Sequence, residues 1–99
     1  MLELILFKLN TFVQNKKMRI AGYIEHPIVK ITVLHMNNRY VIKVEANMME
    51  QTYKFHEDDK LRTMADMEKL VDETFINECI KRFAEMNKSR GEMYQRNIL

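Results

Sequence analysis

Three histidines, one cysteine and two runs of charge are the residues of this chain whose types suit chemistry. His26, His35 and His56 invite a metal centre or an acid–base pair. His26 and His35, however, bound one β-branched run and would stand about 30 Å apart in an extended strand. His35 and His56 can share an end of a sheet, but their parity sends them to opposite faces. Zinc takes three or four converging ligands, so histidine alone supplies no site here, and His56 with Asp58 and Asp59 reads as a solvated loop. Cys79 needs a neighbouring base and a depressed pKa to act as a nucleophile. It falls on an apolar helical stripe with no histidine in reach, where a cysteine is a small hydrophobe.

Charge is unevenly distributed. Residues 57–73 hold seven acidic against three basic side chains, and residues 74–99 hold five basic against three acidic. The acidic run suits a loop and a helix start. Lys81, Arg82, Lys88, Arg90 and Arg96, near Tyr94, are the candidate phosphate contacts, although Glu78, Glu85 and Glu92 dilute them. Nine methionines stand out. Thioethers fill cores and also line adaptable binding surfaces. With only Gly22 and Gly91, no glycine-rich phosphate loop or nucleophile elbow can be built. No catalytic residue, cofactor or metal site is expected.

The element that must position these residues is the stretch from Ile28 to Phe55, rich in β-branched and aromatic residues. Asn37 and Asn38 sit where a hairpin turns, and a type I′ turn there requires φ > 0 at both. Pairing then sets Leu34 opposite Val41, Val33 opposite Ile42, Thr32 opposite Lys43, Ile31 opposite Val44 and Lys30 opposite Glu45. One face is apolar, and a slip of one residue would scatter it. A third strand follows a turn near Asn47 and Met48. It adds Met49, Tyr53 and Phe55 to the apolar face, with Gln51 a misfit expected near the strand end, and Glu50, Thr52 and Lys54 to the other. A fourth strand over Arg19 to Glu25 would carry Ile20 and Ile24 on one side, before the break at His26-Pro27.

Thr63 opens a helix, with Asp66 as its capping-box partner. The apolar group Met64, Met67, Leu70, Val71 points about a third of a turn away from the group running from Phe75 to Met86. A break at Asp72 to Thr74 and a longer helix from about Glu73 to Lys88 resolve the mismatch. Gly91 to Leu99 carries no periodicity. The expected core sets Ile31, Val33, Ile42, Val44, Tyr53 and Phe55 against Phe75, Ile76, Cys79, Ile80 and Phe83.

Residues 1–17 differ in character: oily from Leu2 to Val13, then Asn15-Lys16-Lys17. The lysines follow the apolar run, the reverse of a signal peptide. Helix and strand both fit, and Met18 is a candidate for the natural start. Residues 18–99 form one α+β domain, an antiparallel meander of three to four strands with one face covered by a C-terminal helical segment. A helical first segment would give the order α-β-β-β-α, which resembles double-stranded-RNA-binding domains in order alone. Those carry lysines where this chain has Asp58, Asp59, Asp66 and Glu68, so nothing transfers. A lone cysteine and no apolar run of about 20 residues point to a reducing, cytoplasmic setting. The expected function is a non-catalytic protein-interaction or assembly module, a homodimer through Leu34, Val41 and an edge strand. The alternative is a nucleic-acid binder using the basic C-terminal helix and tail. A small nuclease-like enzyme lacks the acid–base set it would need.

Overall fold

The computed structural model describes residues 18–98. The expectations for residues 1–17, helix or strand and a start at Met18, lie outside the described residues. Four strands, β1 (Arg19–Ile24), β2 (Lys30–Met36), β3 (Arg39–Ala46) and β4 (Met49–His56), are followed by helices α1 (Met64–Leu70) and α2 (Glu73–Asn97). The strands form one antiparallel sheet in the order β1-β2-β3-β4. This is the α+β meander expected, with its fourth strand present.

The hairpin register is the one the alternation requires. Leu34 pairs with Val41, Val33 with Ile42 and Lys30 with Glu45, and Met36↔Arg39 closes a two-residue turn. Within this turn only Asn37 has positive φ (55°), where both Asn37 and Asn38 were expected to. The carbonyl of Asn38 accepts the Glu57 N–H at 2.7 Å just past β4, a tertiary tie that the local turn rule does not contain. The next turn has both left-handed residues, Asn47 (56°) and Met48 (62°), between the pair Ala46↔Met49. That backbone pattern is the I′ pattern suited to a two-residue hairpin.

Two strand expectations need correction. Gln51, the third of the eight residues of β4, does not escape the core: it pairs with Val44 and is buried. Its Nε2 donates to the Cys79 carbonyl at 2.8 Å and its Oε1 accepts the Tyr53 hydroxyl at 2.6 Å, so the burial is satisfied. Ile20 and Ile24 do not share a side. The register shifts between Ile20 and Gly22, and such a bulge reverses the parity, leaving Ile20 opposite Leu34 and Ile24 opposite Ile31. Gly22 sits where a Cβ would lie 2.9 Å from Met64 Cε, so the bare backbone lets α1 approach β1.

Both helices pack on one face of the sheet. Thr63 caps α1 through a full capping box with Asp66, and Asp72 caps α2 by accepting the Phe75 N–H at 2.9 Å. The break between them lets Met67 and Val71 enter the core beside Ile76, Cys79 and Phe83, against Ile31, Val33, Ile42 and Val44. Tyr53, Phe55, Phe75 and Ile80 pack half-buried around that cluster. The second helix does not stop near Lys88. It runs through Gly91 to Asn97, since propagation needs no new nucleus, although this end gains little stability from propagation alone.

Candidate interaction surfaces

The residues with catalytic potential are separated and engaged. His26 Nε2 lies 3.2 Å from Glu73 Oε2, whereas His35 Nε2 lies 3.0 Å from Glu57 Oε1 and its ring sits 4.5 Å from that of Tyr40. His56 pairs with Arg39 on the opposite face of the sheet from His35. No group of three or more His, Cys, Asp or Glu among the described residues is placed to hold a metal ion. The Cys79 thiol is buried, and burial holds its pKa above the usual thiol range. Its Sγ lies 3.8 Å from the Tyr53 hydroxyl, which also receives Arg82 Nη1 at 3.2 Å. Burial raises Tyr53 as well, the neighbouring Cys79 adding to the shift. These contacts tie α2 to β4.

The five candidate phosphate contacts do not form one stripe. Lys81, Lys88 and Arg96 are exposed on the outer side of α2. Arg82 turns inward to Tyr53 and lies 3.9 Å from Glu78. Arg90 reaches back to the sheet, donating to the Asn47 carbonyl at 3.1 Å and to Asn87 Oδ1 at 2.8 Å. It continues the line of Cys79, Phe83 and Met86 at helical spacing.

Past Arg90 the helix leaves the sheet. Residues 91–98 are all exposed and extend about 12 Å at the helical rise. They present Met93 (54% exposed), Tyr94 (55%) and Ile98 (66%). Beside them Met48, Met49, Met86 and Met93 line a groove of about 680 Å³, with Arg82, Glu85 and Arg90 at its rim. Met48, at the tip of its turn, is almost wholly exposed. The groove joins residues from the β3–β4 turn and the last turns of α2, so no local motif announced it.

The other face of the sheet is crossed by no helix among the described residues. Here the register assembles three cations distant in sequence: Arg39 opposite His56, Lys54 opposite Val41, and Lys43 opposite Thr52. The row continues through Thr32 to Tyr23, which is half exposed. Arg39, Lys54 and Tyr23 were not singled out from the sequence; the parity that places them outward was the available signal. No helix of the described residues is long and apolar enough to cross a membrane. No family model, characterised protein or solved structure matches this chain, so the two surfaces stand on their geometry alone.

Proposed function

We propose that this chain is a non-catalytic assembly module of the reducing cytoplasm that pairs with a second copy through the end of its long helix. The observation that carries this is the exposed continuation of α2 over residues 91–98, with its apolar side chains beside the methionine groove. A helical end with no tertiary support is marginal in water, and helices gain most of their stability from packing an apolar face. The chain carries both a ridge (Tyr94, Ile98) and a groove (Met48, Met49, Met86, Met93). A two-fold axis would let each copy fill the other at once. The buried free thiol and the dispersed histidines suit a role without chemistry.

The size of the patch sets the expected affinity. Four apolar side chains at half exposure or more offer on the order of 400–500 Å² per copy. Stable interfaces bury about 800 Å² per partner, so the pairing is weak and depends on concentration. Light scattering from about 1 μM to several hundred μM should therefore pass from monomer to dimer. Tyr94→Glu together with Met93→Glu should hold the chain monomeric throughout. A wild type still monomeric at the top of that range, or a double variant that dimerises equally, refutes the proposal.

A further inference from the structure

We infer that the open face of the sheet binds single-stranded nucleic acid, with Arg39, Lys54 and Lys43 on successive phosphates and Tyr23 stacking on a base. The inference is independent of the helix surface, which lies elsewhere on the fold. Arg39 and Lys43 project from the same side of β3, each two residues from Val41 and four from each other. Lys54, opposite Val41 on β4, lies diagonal to both. Diagonal cross-strand neighbours are about 7–8 Å apart, which is comparable with the spacing of phosphates along an extended strand.

These cations are poorly neutralised within the fold. The one ion pair on this face among the described residues joins Lys43 Nζ to Glu50 Oε1 at 3.9 Å, and the other oxygen of Glu50 accepts the Thr52 hydroxyl at 2.8 Å. Arg39 and Lys54 have no carboxylate at ion-pair distance among the described residues. The other acid of the face, Glu45, sits opposite Glu50 toward the β3–β4 turn. A bound strand therefore runs from Tyr23 and Lys43 toward the Asn37-Asn38 turn.

The ligand class follows from shape. A duplex is read by an element that enters a groove, and among the described residues no helix or ribbon rises from this face. Single strands instead lie on sheets, where aromatic side chains stack on unpaired bases beside a cationic track. Tyr23 is the exposed aromatic in the row that contains Lys43. An acidic peptide would meet the same cations but would gain nothing specific from that ring.

Fluorescence anisotropy of the full chain with a short labelled oligothymidylate, and with its RNA counterpart, tests the inference. Three phosphate contacts on a single strand predict that log K falls with log salt at a slope of about −2. Lys43→Glu with Lys54→Glu should weaken binding at least tenfold and bring the slope to about −0.7 or shallower. Tyr23→Ala should cost about tenfold at unchanged slope, the low end of the stacking range. Inorganic polyphosphate and polyglutamate should compete weakly and indifferently to Tyr23→Ala. Lys81→Glu with Lys88→Glu, on the helix, should leave binding intact. Circular dichroism checks that each variant is folded, and Lys43→Gln with Lys54→Gln replaces the reversed pair where it is not. Four results each overturn the inference: no binding at about 20 mM salt, indifference to the Lys43 and Lys54 changes, indifference of the oligonucleotide to Tyr23→Ala, or loss of binding in the helix variant.

Discussion

Gly91→Ala should make the protein more stable, and the gain measures whether the end of α2 is helical in solution. Gly91 lies inside α2 with φ outside the left-handed region, and a Cβ built there would meet no atom within 4 Å. Alanine therefore introduces no clash. It removes the extra conformational freedom of glycine in the unfolded chain and raises helix propensity, worth about 0.5–1 kcal/mol. For a domain of this size that corresponds to a rise in Tm of about 2–8 °C. The comparison is Gly22→Ala, where the new Cβ would stand 2.9 Å from Met64 Cε and 3.0 Å from its Sδ. The thioether end can swing aside, but Met64 packs against the core, so the entropic gain is offset and a loss of about 1 kcal/mol is expected. Thermal melts should be recorded at a concentration low enough that no dimer forms. Gly91→Ala with an unchanged or lowered Tm refutes a helix through residue 91, and with it the ridge on which the assembly proposal depends. A stabilised Gly22→Ala would refute the close approach of α1 to β1.

Phe83→Ala removes a buried aromatic from the centre of the helix–sheet contact and should cost about 3–5 kcal/mol, whereas Lys43→Ala on the open face should cost under about 0.5 kcal/mol. Denaturant melts compare the two, and a more damaging Lys43→Ala would mean that the sheet faces are reversed. The carboxylate of Asp66 accepts the backbone N–H groups of Arg62 and Thr63, and these bonds lower its pKa below the ordinary 3.8. A depressed carboxyl stabilises the fold above its unfolded pKa and ceases to do so as pH falls through its folded value. Stability measured downward from pH 3.8 should therefore decline less steeply in Asp66→Asn than in the wild type, and parallel curves would count against the cap. Cys79 is buried with a raised pKa, so a thiol reagent at neutral pH should label it only as fast as the protein opens. Rapid labelling of the folded protein would contradict its packing.

The sheet was legible because its determinants are local. Two asparagines in a row between alternating β-branched runs fix a two-residue turn, and the turn fixes every pair from Met36↔Arg39 to Lys30↔Glu45. The break between the helices was legible for a related reason: two apolar groups on different faces, with a cap residue between them, cannot share one straight helix. The bulge after Ile20 was not legible. One extra residue leaves no mark on composition, and its only trace is Gly22, whose bareness serves Met64 from a distant helix. The end of α2 was missed because hydrophobic periodicity reports burial, and residues 91–98 are all exposed among the described residues. Gln51 was misjudged because its partner, the Cys79 carbonyl, belongs to an element 28 residues away.

The surfaces were less legible than the fold because each is assembled from residues that only pairing brings together. Reading cations by proximity in sequence favoured Lys81, Arg82, Lys88, Arg90 and Arg96, yet Arg90 follows Cys79, Phe83 and Met86 at helical spacing and was bound to turn inward. Reading them by register instead gathers Arg39, Lys43 and Lys54 across two strands. The methionines divide the same way: Met67 is core, whereas Met48, Met49, Met86 and Met93 converge on the groove. Unbranched thioethers fit many shapes without fixing one, so that groove selects for apolar character and length more than for a particular contour. The two surfaces should consequently answer to different variables. Pairing at the groove depends on concentration and little on salt, because its contact is apolar. Binding at the open face depends steeply on salt, because its contact is ionic. A single titration of both variables thus separates them before any residue is changed.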